Sequence, residues 1–170
     1  MFKGKLVSHV ILNDIQLKAI GTVAVECAMV DRQIERFIWH ASGLEETQGK
    51  IITAAMQLSA RLDLLQALVK AKVTEQILEK FVEFASELRV AIDERNTMIH
   101  GLWLPGSLIK NADRSLGFTG DGPVARRRLK AGEDKEISIG RADAVALAFD
   151  KASERLLEFV MTHLRWKPPA

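Results

Sequence analysis

Apolar residues recurring at three- and four-residue steps constrain this chain more than any other feature. From Asn13 onward, Ile20, Val23, Cys27, Val30, Ile34, Phe37 and Ala41 fall on one side of a helix about thirty residues long. Asn13 is suited to cap its start, and Ser42–Gly43–Leu44 supplies a stop. A second helical stretch runs from near Thr47 to Val73, with Leu62, Leu65, Leu68 and Val69 on its buried side. Ser59 can cap a fresh turn inside it, so the stretch reads either as one helix or as two meeting at an angle. Thr74 then caps a long helix through Ile99, with Ile77, Leu78, Phe81, Ala85, Leu88, Ile92 and Ile99 as its stripe. Glu75 suits the dipole of its first turn, and Gly101 fits a left-handed position that would end it.

Composition changes beyond that glycine. Residues 101–140 hold seven of the eleven glycines and two of the four prolines. Within them "SLGF", "VARRRLK" and "KEISI" read as short strands, the last two joined across "AGED". A last helix spans Arg141 to His163, striped by Val145, Phe149, Ala152, Leu156, Val160 and Leu164, and the prolines of residues 166–170 make a tail. The expected fold is mainly all-α: an antiparallel bundle of four to five helices, with a small β-hairpin insertion at 101–140 between the last two long helices.

A length of 170 residues suits a single domain spanning 1–170. Apolar content of 48% against 27% charge is that of a folded globular chain, and a net charge of +2 leaves any nucleic-acid footprint to be local. No apolar run approaches the roughly 20 residues of a membrane span. The interrupted run after Lys3 and Lys5 does not read as a signal peptide either, so a cytoplasmic, membrane-free protein is expected. Cys27 is the single cysteine and lies on an apolar stripe, which suits a buried reduced thiol.

Several chemistries lack their motifs. There is no GxxxxGK[ST], GxGxxG, CxxC or HExxH, and His9, His40, His100 and His163 are scattered. Neither a metal nor a cofactor is expected. What stands out is "DERNTMIHGLW", from Asp93 to Trp103. On an ideal helix Asn96 and His100 lie about 40° apart, and Arg95 sits about 100° from Asn96, within reach for a long side chain. An arginine fork that grips phosphate beside a histidine that can carry a proton is a set suited to phosphoryl chemistry. The same residues also admit a structural use, with Arg95 paired to Asp93 or Glu94 and His100 capping helix carbonyls.

"RNTMIH", followed by Gly101 at the end of a long bundle helix, resembles the Arg-x(4–6)-His motif of the HEPN superfamily, and Asn96 matches the polar residue common after that arginine. "VDRQIERFIWHASGL" and "RLDLLQAL" sit where bacterial members have their first and middle helices. The resemblance implies a homodimeric helical bundle and a metal-independent endoribonuclease that cleaves single-stranded RNA with the RNA's own 2′-hydroxyl. It also implies a toxin or defence role with a cognate antitoxin or nucleotidyltransferase. His100 would be the general acid/base, Arg95 would stabilise the phosphate, and Asn96 would orient substrate or histidine. Some toxin members carry a tyrosine where Leu102 stands. The alternative expectation is a non-catalytic, dimeric interaction or nucleotide-binding module of the same type.

Two accessory features complete the candidates. Arg126, Arg127, Arg128 and Lys130, with Arg114 and Arg141, can make a basic patch that tracks a phosphate backbone, or an edge strand guarded by its charges. Trp103 can stack a base or pack the helix end.

Overall fold

Helix α1 (Asp14–Ser42) opens on a reciprocal cap. The Asn13 side chain accepts from the Gln16 backbone N–H at 3.0 Å, and the Gln16 side chain accepts from the Asn13 N–H at 2.9 Å. It closes on Gly43, left-handed at φ 67°, whose N–H donates back into the last turn. The computed structural model describes residues 12–104, 108–110, 116–118, 122–128 and 134–165.

The stretch after α1 is two helices, α2 (Glu46–Thr53) and α3 (Leu58–Lys70). The expected Ser59 cap is not used: Gln57 occupies the cap position without a side-chain hydrogen bond, and Ser59 lies inside the first turn. Helix α4 (Glu75–His100) follows, and α5 (Ala142–His163) ends the bundle after a short 3-10 turn at Ile139–Arg141. Thr74 holds the N-cap position of α4 but contributes no side-chain bond to it.

The bundle wraps α1. It packs against α5 and α3 most extensively and against α2 and α4 as well. Val23, Val30 and Ile34 of α1, Leu62, Leu65 and Val69 of α3, Phe81 of α4, and Val145, Phe149 and Leu156 of α5 are all fully buried in one cluster. Each such side chain contributes on the order of 1.5–3 kcal/mol by leaving water. Stripe members at the cluster's margin, such as Leu68 and Leu164, are half-buried and pack against it. Among the described residues, no helix is long and apolar enough to cross a membrane.

Between α4 and α5 lies a three-stranded antiparallel sheet, ordered β1 (Leu102–Leu104), β4 (Val124–Arg128), β5 (Asp134–Ser138). A separate hairpin joins β2 (Leu108–Lys110) to β3 (Leu116–Phe118). The expected hairpin of "VARRRLK" and "KEISI" is present as β4–β5, with Ala125 opposite Ile137. The sequence pattern missed β2 and also β1, which pairs along the other side of β4 and sets Trp103 opposite Ala125. Strand β4 is therefore central over Val124–Arg126, so Arg126 does not guard a sheet edge. Ala125, Ile137 and Trp103 turn toward the helical core, and the sheet lies against α4.

One buried polar network ties α1, α2 and α3 together. The Glu35 carboxylate, 9% exposed, accepts from the Thr53 hydroxyl at 2.7 Å and from Arg32, and lies 3.5 Å from Arg61. The Trp39 indole N–H donates to Thr53 at 3.2 Å, and Arg61 also reaches the Thr53 carbonyl and Asp31. Burial alone would push the Glu35 carboxyl up. The bonds from Thr53 and Arg32 and the charges of Arg61 and Arg32 outweigh it, so the group titrates below its ordinary value. Its contribution to stability is thus complete above the ordinary glutamate value, about pH 4.3, and is lost as pH falls through the lower folded-state value. Glu35→Gln should lower stability in urea by about 1–3 kcal/mol at neutral pH, because two arginines lose their carboxylate. The gap from wild type should narrow as the pH drops below about 4. Unchanged urea midpoints at neutral pH would show that the network does not hold the three helices.

Candidate functional site

The last turn of α4 carries Arg95, Asn96 and His100 to the mouth of a cleft of about 540 Å³. Ala24, Cys27, Ala28 and Asp31 of α1 form one wall, and the start of α3 (Gln57, Leu58, Ser59, Arg61) forms another. Ile92 and the motif residues of α4, with Arg127 of β4, close it. The helical phase read from the sequence is reproduced: Arg95 Nη1 donates to Asn96 Oδ1 at 2.9 Å and lies 3.4 Å from His100 Nε2. An arginine can only donate, so a hydrogen bond along this contact requires Nε2 as its acceptor. Asn96 spends its amide oxygen on Arg95, and so acts as a brace for the guanidinium.

The two acids that could have neutralised Arg95 are engaged elsewhere. Asp93 pairs with both Arg127 of β4 and Lys135 of β5. Glu94 pairs with Arg141 at 3.0 Å, at the start of α5. Arg95 has no carboxylate partner among the described residues, and its buried Nε–H has no acceptor. The lining holds three arginines against one aspartate, Asp31, which is itself paired with Arg61 at 2.7 Å. The first turn of α3, which carries no acidic side chain, opens on the same space with its N-terminal dipole. The cleft is therefore an electropositive pocket with a histidine at its rim.

The helix ends differently from expectation. Gly101 is extended, at φ −78° and ψ 158°, rather than left-handed. Glycine is required there for a different reason: a Cβ would stand 2.3 Å from the Thr97 carbonyl oxygen and 3.1 Å from that of Arg126. The chain leaves α4 directly into β1, with the backbones of α4 and β4 in close approach behind His100. Trp103 closes the same corner, its indole N–H donating to the Met98 carbonyl at 3.1 Å and its ring half-buried against the core. It is not among the residues lining the cleft.

The basic run is split by strand alternation. Arg127 lines the cleft, whereas Arg126 pairs with Asp134 and Glu136 and does not. Arg141 is committed to Glu94. The side chains of Arg128, Lys130 and Arg114 lie outside the described residues.

Cys27, expected as a buried thiol, shares the cleft with His100. Burial pushes its thiol up, the Arg95 charge pulls it partly back, and the net is a group above the ordinary range. It is protonated at neutral pH and a poor nucleophile. No three His, Cys, Asp or Glu side chains converge as a metal site among the described residues.

The crowding at Gly101 generates a prediction. Gly101→Ala should cost about 1–3 kcal/mol, because the obstructing atoms are backbone and cannot swing aside. A melting temperature equal to wild type would refute the close approach of α4 to β4. No family model matches the chain, and comparison with curated proteins and with solved structures finds no significant match.

Proposed function

We propose that the chain is a metal-independent endoribonuclease of the HEPN type, acting on single-stranded RNA as a homodimer, with Arg95, Asn96 and His100 as its reactive set. One observation carries the reading. Arg95, braced by Asn96 and free of carboxylates, contacts His100 at the rim of an electropositive cleft.

The chemistry follows from those atoms. A phosphodiester entering the cleft competes for the Arg95 fork, since a charge-assisted bond to phosphate is stronger than a long bond to imidazole. Arg95 then neutralises charge growing on the non-bridging oxygens, and His100 Nε2 is released to take the proton of the 2′-hydroxyl. The 2′-oxygen attacks the neighbouring phosphorus and the bond to the 5′-oxygen breaks. A 2′,3′-cyclic phosphate and a free 5′-hydroxyl result. The leaving oxygen needs a proton, and a second copy of the chain would supply it from its own His100. In a toxin or defence setting the further partner would be a cognate antitoxin or nucleotidyltransferase.

Cleavage of an end-labelled single-stranded RNA in the presence of a chelator tests the proposal. Wild type should yield cyclic-phosphate ends, and His100→Ala and Arg95→Ala should each lose about 10²–10⁴-fold in rate. Equal activity in all three chains would end the proposal. Absence of cleavage in any of them, with RNA still bound, would favour a non-catalytic binding module instead.

A further inference from the structure

We infer that Arg127 is a second anion-binding cation of the cleft, held in place by Asp93 and Lys135. This rests on reading the cleft as a phosphodiester site and extends it from one helix to the sheet. Arg127 enters the same cleft as Arg95, but from the central strand β4. Three buried side-chain polar atoms lack partners among the described residues, and two of them are the Nε atoms of Arg95 and Arg127. Buried donors are normally satisfied. Both atoms belong to arginines that line one cleft, and two guanidinium groups not fully satisfied by the protein suit an acceptor-rich ligand, which a phosphoryl group is.

Arg127 is not consumed by its own ion pair. Asp93 takes Nη2, and among the described residues the buried Nε has no acceptor. The Asp93 charge is also shared with Lys135, so one carboxylate faces two cations and the group keeps a net positive charge. That carboxylate sits two residues before Arg95 on α4, so the device that anchors Arg127 also fixes its distance from the motif. A single carboxylate partner on one terminal nitrogen sets the plane of the guanidinium while leaving the rest of the fork for the ligand. Arg126, on the other side of the strand and paired with Asp134 and Glu136, provides the internal control.

Calorimetric titration with inorganic pyrophosphate at low salt tests this on the full chain. Arg127→Gln should weaken binding by about 10- to 100-fold, as loss of a charge-assisted bond does. Arg126→Gln should stay within about twofold of wild type, as a surface pair on another face would. Arg127→Lys keeps the charge and serves if the glutamine variant fails to fold; it should recover part of the affinity but not the two-pronged geometry. Asp93→Asn should weaken pyrophosphate binding as well as lower the melting temperature. A lower melting temperature with unchanged affinity would remove the positioning role. Equal losses in Arg127→Gln and Arg126→Gln, or a wild type that binds no pyrophosphate, would overturn the inference. Arg127-dependent pyrophosphate binding without RNA cleavage would overturn the ribonuclease reading alone. RNA cleavage indifferent to Arg127 in both rate and KM would overturn only the present inference.

Discussion

The double ion pair of Asp93 is the joint on which the site depends. Without it the sheet would rest on α4 mainly through the apolar packing of Ala125, Ile137 and Trp103, and apolar contact leaves register loosely defined. With it, one carboxylate of α4 holds Arg127 of β4 and Lys135 of β5 at once. Burial raises the Asp93 carboxyl, and the bonds and charges of Lys135 and Arg127 more than reverse this, so it stays ionised well into acid. The joint is a charge that the folded chain defends.

Its second effect is on the neighbour in sequence. Helices bring consecutive residues out at about 100° to one another, so Asp93, Glu94 and Arg95 face different partners. Asp93 looks to the sheet and Glu94 to Arg141. Arg95 is left facing the cleft, where among the described residues its hydrogen-bond contacts are Asn96 and His100. An acidic pair beside an arginine usually suggests local neutralisation. Here the fold sends each acid away, and the positive charge is concentrated where α1, α3, α4 and β4 meet.

Much of this could be read from the sequence because helices announce themselves by period. The stripes of α1, α4 and α5 become the core nearly residue for residue, and Asn13 and Gly43 cap as their chemistry dictates. The phase of Asn96 and His100 followed from the same geometry. What was not legible depended on tertiary partners. β1 is three residues long and directly follows a helix, so no alternation marks it. The split between Arg126 and Arg127 needed the knowledge that β4 is central and which face it turns to α4. The place of Cys27 on the cleft needed the packing of α1 against α4. Ser59 offered a cap by type, yet the chain turned at Gln57, because Arg61 braces the bend through the Thr53 carbonyl and Asp31.

The crowded corner at Gly101 has one more consequence. The atoms that meet there, Thr97 O and the Arg126 carbonyl and amide, all belong to the main chain. Main-chain atoms are the same in every residue, so this contact between the end of α4 and strand β4 does not depend on the side chain at position 126. Position 126 is thus open to substitution, whereas Arg127 and Gly101 are bound to the motif. The scaffold separates what aligns the site from what decorates it. A library varied at position 126 should retain an unchanged cleft while acquiring new surface chemistry beside it.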